Sequence, residues 1–172
     1  MSIRKSIVDV FQDEYLLAKI LSLTKIKGIE SDLRFLLERS FYSHEGKIPE
    51  TEVLGRTDLM LTLEPAQIIE IKCYHAVITT KDTQDRRRND LLSLSKHTST
   101  PTKVFLYFGL YGNAQPPVKK SLDTAERIGE IKQEIEKILN IAKAEDIKII
   151  SCEYYDKVLP DRILYAAWFY VN

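Results

Sequence analysis

Seventeen residues, Thr57 to Cys73, constrain this chain more than any other stretch: T-D-L-M-L-T-L-E-P-A-Q-I-I-E-I-K-C. Two apolar runs, Leu59–Leu63 and Ile68–Cys73, flank Glu64-Pro65-Ala66-Gln67. A proline cannot donate to a strand ladder and favours a turn, so the pattern predicts a β-hairpin. Side chains alternate along a strand, which puts Glu70 and Lys72 on one face and Ile69, Ile71 and Cys73 on the other. Asp58 opens the first strand, and a tight turn brings it to the same end of the hairpin as Lys72. Two carboxylates and one ammonium then share a sheet edge. The carboxylates repel each other, and a divalent cation is what holds such a pair together.

The tripeptide E-x-K carries no weight by itself. It occurs three times, as Glu45-Gly46-Lys47, Glu70-Ile71-Lys72 and Glu130-Ile131-Lys132. The first lies in a glycine-containing loop and the last in a strongly helical stretch. Only the middle one sits in a strand-like run preceded, at hairpin distance, by an Asp that opens another.

Asp58 followed by Glu70-Ile71-Lys72 resembles the PD-(D/E)XK nuclease superfamily, whose fold is that of the restriction endonucleases; Thr57 stands where the family name has proline. The resemblance covers roughly residues 28 to 108. It implies an α/β (α+β) fold with a restriction-endonuclease-like core, a central mixed β-sheet flanked by helices on both faces. One domain is expected over residues 1–172, with an N-terminal helix and a C-terminal helix–strand extension added to the core. The implied ligands of Mg2+ or Mn2+ are Asp58, Glu70 and the backbone carbonyl of Ile71. Lys72 is expected beside the attacking water, as a charged orienter and stabiliser of the phosphorane. In the superfamily a Glu near the start of the helix before the hairpin often joins the metal. The stretch Gly28-Ile29-Glu30-Ser31-Asp32-Leu33 looks like the G-x-E-x-x-L of archaeal Holliday-junction resolvases, which makes Glu30 the expected third acid. Glu38, eight residues on and about 80° away around the helix, competes with it. The implied activity is metal-dependent hydrolysis of phosphodiester bonds, most simply by a DNA endonuclease. The alternative is a restriction-fold protein that binds DNA or a protein partner without cutting, its Asp–Glu–Lys cluster acting as a structural salt bridge.

The remaining segments fit around this centre. Ile3, Ile7, Val10, Phe11, Leu17, Ile20 and Leu21 have helical spacing and predict one helix over residues 3–24, ended by Gly28. Ile29, Leu33, Leu36, Leu37 and Phe41 predict a second, closed by Gly46 and Pro49, with Glu30 in its first turn where the macrodipole favours an acid. A strand is expected over residues 51–56. Lys81–His97 reads as a helix with a basic first half, Arg86-Arg87-Arg88, which either forms a solvated face or meets phosphates through its forked donors. Gln84 fits the start of the exonuclease motif Q-x-x-x-Y, but position 88 is Arg, so exonuclease membership is not supported. Lys103–Tyr107 predicts a buried strand, residues 119–144 a long amphipathic helix, and Ile147–Cys152 and Ile163–Val171 two late strands that either extend the sheet or form a homodimer surface.

Composition closes off other classes. Lys+Arg and Asp+Glu are both 25, so the net charge is zero, which argues against indiscriminate coating of nucleic acid while leaving a local basic patch open. Two cysteines, Cys73 and Cys152, make no disulfide framework and read as buried free thiols in a reducing, cytoplasmic setting. No apolar run approaches the roughly 18 residues of a membrane span, and the start of the chain lacks a signal-like apolar region. His44, His75 and His97 are not at zinc-ligand spacing with the cysteines. His75 and Tyr74, just past Lys72, fall near the expected cleft mouth.

Overall fold

The computed structural model describes residues 3–22, 29–46, 49–53, 57–61, 67–74, 81–96, 102–112, 124–160 and 162–172. Its elements run α1 (Ile3–Val10), α2 (Glu14–Ser22), α3 (Ile29–Glu45), β1 (Glu50–Val53), β2 (Thr57–Leu61), β3 (Gln67–Tyr74), α4 (Lys81–Ser95), β4 (Thr102–Gly112), α5 (Thr124–Ala144), β5 (Ile149–Val158) and β6 (Arg162–Val171). The six strands form one mixed sheet in the order β1-β2-β3-β4-β6-β5. β1, β2 and β3 are antiparallel neighbours; β3 and β4 are parallel, joined by a crossover that contains α4; β4, β6 and β5 are again antiparallel. A parallel pair needs such a crossover, because a tight turn cannot return the chain to the same end of the sheet.

β4 reads T-K-V-F-L-Y-F-G-L-Y-G and β6 R-I-L-Y-A-A-W-F-Y-V, apolar on both faces as central strands must be. One face, with Ile71, Leu106, Phe108 and Trp168, is covered by α1, α2 and α3. The other, with Phe105, Tyr107, Tyr165 and Phe169, is covered by α4 and α5. Helices therefore flank the mixed sheet on both faces.

Several boundaries differ from the sequence reading, each for a local reason. The single helix expected over residues 3–24 is two, broken at Phe11–Asp13. Asp13 Oδ1 accepts the Leu16 backbone N–H at 2.8 Å, capping α2 and letting the chain turn so that Phe11 and Leu16 both reach the core. Gly46 ends α3 with φ of 67°, a left-handed conformation that only glycine adopts freely, and its N–H closes on the Tyr42 carbonyl at 2.8 Å. β5 runs much further than Ile147–Cys152, with a bulge between Ile149 and Ser151. The aromatic-rich last strand is neither an edge nor a surface; β6 lies inside the sheet. Gly109 is required where it stands, because a Cβ there would fall 2.1 Å from the Tyr165 ring that crosses it. Gly28, the hairpin turn and His75 lie outside the described residues.

Candidate functional site

The register of the antiparallel strands decides which acids share a position. β2 and β3 pair Leu59 with Ile69, Met60 with Ile68 and Leu61 with Gln67. Continued by one residue, that register sets Asp58 opposite Glu70. β1 and β2 pair Thr51 with Leu59 and Val53 with Thr57, so the residue between, Glu52, stands opposite Asp58. Directly opposed residues of antiparallel strands belong to the same face. Glu52, Asp58 and Glu70 thus take three adjacent positions in a row across β1, β2 and β3. Glu52 was not singled out by the sequence reading, because only the pairing of β1 reveals it. The side chains of Glu52 and Asp58 are outside what is described.

Glu70 is 8% exposed, and its Oε1 accepts from Lys72 Nζ at 2.7 Å. Period-two alternation along β3 brings these two together, as predicted. Ile71 between them faces the opposite side and is fully buried there among the α1–α3 residues. In the parallel pairing with β4, Glu70 faces Phe105 and Lys72 faces Tyr107.

Tyr107 leads into a buried polar group that the sequence reading missed. Arg87 Nη2 donates to Tyr107 Oη at 3.0 Å, and the guanidinium carbon lies 5.3 Å from the centre of the Tyr107 ring. Tyr165 donates its hydroxyl to Tyr107 Oη at 3.2 Å, the two rings 5.8 Å apart. Glu134 of α5 is buried on the same side, with its Oε1 accepting from Lys137 at 2.9 Å. Burial raises the phenol of Tyr107 above its ordinary range, opposed by Arg87, and raises that of Tyr165 well above it. The clue was available in α4: reading its buried stripe back from Leu94 and Leu91 by one turn arrives at Arg87.

That result corrects the reading of Arg86-Arg87-Arg88 as one phosphate-facing run. Successive helical residues point about 100° apart. Arg87 is fully buried against Tyr107 and is closed to a nucleic-acid backbone, whereas Arg86 and Arg88 are exposed. Arg88 Nε is paired with Glu145 Oε1 at 2.5 Å, and that hydrogen bond raises its pKa.

Glu30 is exposed in the first turn of α3, and Glu38 is half-buried with Oε1 3.9 Å from Arg34 Nε. Burial holds the Glu38 carboxyl above its usual range, with Arg34 opposing the shift. α3 packs on the face that holds Ile69 and Ile71, opposite to that of Glu70 and Lys72. An acid from α3 can meet Glu70 at one ion only by coming around the margin of the sheet. Glu52 needs no such detour. Among the described residues no group of three or more His, Cys, Asp or Glu is close enough to hold a metal ion. Cys152 is half-buried, and burial, with Glu153 adding, pushes its thiol up to about 11. Among the described residues no helix is long and apolar enough to cross a membrane.

No family model matches the chain, and neither a curated protein nor a solved structure matches it.

Proposed function

We propose that the chain is a metal-dependent nuclease of restriction-endonuclease-like fold that hydrolyses phosphodiester bonds, most simply those of DNA. The observation that carries this reading is the register: Asp58 falls opposite Glu70 on a β2–β3 pair whose Glu70 already holds Lys72. The order α3-β1-β2-β3-α4-β4, with β1 to β3 antiparallel and β4 parallel to β3, supports it, since the superfamily core follows that order.

The donor set suits Mg2+ or Mn2+. Both take hard oxygen ligands, and one or two carboxylates with a backbone carbonyl suffice because Mg2+ keeps several of its waters. Asp58, Glu70 and the Ile71 carbonyl are the proposed ligands, with Glu52 and Glu30 as rivals for a third acid. A bound cation of this kind neutralises the phosphate and lowers the pKa of a coordinated water. Lys72, anchored on Glu70, orients the attacking water and stabilises the pentavalent phosphorus as a cation. Exposed Arg86 is the residue of the basic run best placed to meet a phosphate.

The non-cutting alternative has its own support. Lys72 Nζ lies 2.7 Å from Glu70 Oε1, a contact that a structural salt bridge also predicts. A cation that binds the folded state alone stabilises it by about 2.7 kcal/mol at a hundred times its Kd. Mg2+ or Mn2+ is therefore expected to raise the melting temperature and to support cleavage of supercoiled, linear, branched or single-stranded substrates. Asp58→Ala removes both effects, and Lys72→Ala removes cleavage. Glu52→Gln weakens metal binding more than Glu30→Gln does. A protein neither stabilised by metal nor able to cut any of these substrates belongs to the non-cutting class.

A further inference from the structure

We infer that the outer edge of β5 is a self-association surface, on which a second copy of this chain pairs its own β5 antiparallel about a two-fold axis at Tyr154. β5 is the outermost strand of the sheet, and among the described residues it pairs with β6 alone. It is ten residues long and carries three large apolar side chains in solvent: Ile150 at 62% exposure, Tyr154 at 37% and Val158 at 50%. A long edge strand with exposed apolar groups is a template for pairing, and proteins blunt such edges unless they use them. The opposite edge is blunted more fully: among the described residues β1 has four residues and carries Glu50 and Glu52, whereas β5 has only the bulge at its start.

Symmetry selects the occupant. Ile150, Tyr154 and Val158 are spaced by four, so the outer two are equidistant from the middle one. A two-fold axis normal to the sheet keeps every side chain on its own face and demands this mirror-like spacing; an unrelated strand has no reason to match it. With Tyr154 on the axis, the regular run Ser151–Lys157 is centred on Tyr154, which meets the partner's Tyr154, and Val158 comes to the partner's Ile150 at the bulge between Ile149 and Ser151, where the ladder is irregular. Charges agree with that register. Glu153 faces the partner's Tyr155, Asp156 the partner's Cys152 and Lys157 the partner's Ser151, so no like charges oppose. Moving the axis to Glu153 or Asp156 would set an acid against its own copy, which is destabilising. An axis at Tyr155 avoids that but leaves Ile150 opposite Pro160, beyond the strand. Because a two-fold contact consumes the same edge of both copies, the assembly stops at a dimer with a continuous sheet. The inference does not depend on the nuclease reading.

Sedimentation equilibrium of the full chain tests the surface, and directed cross-linking tests the register. The expected result is a concentration-dependent dimer whose dissociation constant rises about 100-fold in Tyr154→Lys, which sets like charges on the axis. Circular dichroism and the melting temperature of the variant at low concentration confirm that the subunit still folds. Opposed residues in antiparallel strands have Cα atoms about 4.5–5.5 Å apart, within disulfide reach. In a Cys73→Ser, Cys152→Ser background, Tyr154→Cys therefore cross-links to its own copy under mild oxidation, and Tyr155→Cys does not. A chain that stays monomeric at several hundred micromolar overturns the inference. So does a dimer indifferent to Tyr154→Lys but broken by Phe35→Glu on the exposed side of α3, or self-cross-linking at Tyr155→Cys in preference to Tyr154→Cys.

Discussion

The two faces of the sheet are built by different rules. Under α1, α2 and α3 the buried sheet residues are hydrocarbon and aromatic: Ile69, Ile71, Leu106, Phe108 and Trp168. Under α4 and α5 lie all four of the buried charged side chains among the described residues, Glu70, Arg87, Lys103 and Glu134. The hydroxyls of Tyr107 and Tyr165 join them there. Burying a charge is costly unless it is paired and hydrogen-bonded. Hydrocarbon packing on the first face supplies binding energy without direction, while hydrogen bonds on the second fix where a few side chains point. The Glu70–Lys72 pair belongs to the second face, and Tyr107, cross-strand neighbour of Lys72, connects it to Arg87.

The largest expected effect is on the hydrocarbon face. Trp168→Ala should cost about 3–5 kcal/mol in a urea denaturation, the usual range for removing a large buried aromatic. Trp168→Phe should cost far less, because the indole Nε1 has no hydrogen-bond partner among the described residues and its loss is small. A Trp168→Ala cost below about 1 kcal/mol would remove the distinction between the faces.

Next comes Arg87→Met, which takes the charge out of the second face at nearly constant volume. The expected loss is about 2 kcal/mol, since the buried Tyr107 hydroxyl loses its charged hydrogen-bond donor. Unchanged or increased stability would show that the polar group is dispensable for folding, leaving geometry as its only role.

The smallest effect is in the pH dependence at the alkaline end. Tyr107 and Tyr165 keep their protons above the ordinary value of 10, chiefly because burial disfavours the phenolate. The unfolded chain releases the same protons near 10 and so binds fewer of them than the folded one. Stability is complete below pH 10 and falls as the pH climbs through the folded values. Tyr107→Phe and Tyr165→Phe should each flatten that decline, measured as denaturation midpoint against pH. A decline of unchanged slope in both would assign it to other groups; Cys152, raised from 9 to about 11, is one.

Much of this was legible in the sequence, where periodicity is local. The alternation Ile-Glu-Ile-Lys put Glu70 and Lys72 on one face and Ile69 and Ile71 on the other, as found. The apolar run around Phe105 announced a buried strand, and the stripe Ile131, Ile135, Ile138, Ala142 announced the core side of α5. What failed was long-range. That Glu52 sits opposite Asp58 depends on how β1 registers with β2, and no local pattern states it. The burial of Arg87 depends on Tyr107, twenty residues on, offering an oxygen. On charge alone three successive arginines read as one surface, whereas helical phase turns the middle one inward. The split of the first helix, by contrast, was readable in Asp13, a helix-capping residue just ahead of Glu14 and Leu16.

The place of β6 has a consequence for how the chain comes together in time. β5 is synthesised first, yet its only strand neighbour among the described residues is β6, which also seals the free side of β4. Until residues 162–171 leave the ribosome, β4 presents a bare apolar margin and β5 has nothing to join. Lys157 of β5 also reaches back across 146 positions to the Phe11 carbonyl, at the end of an α1 that Ser40 and His44 of α3 already hold through Asp9. Such distant pairings are slow to close, and exposed strand margins invite mispairing meanwhile. Slow arrival of residues 162–171 therefore prolongs the interval in which β4 and β5 lack the strand that joins them.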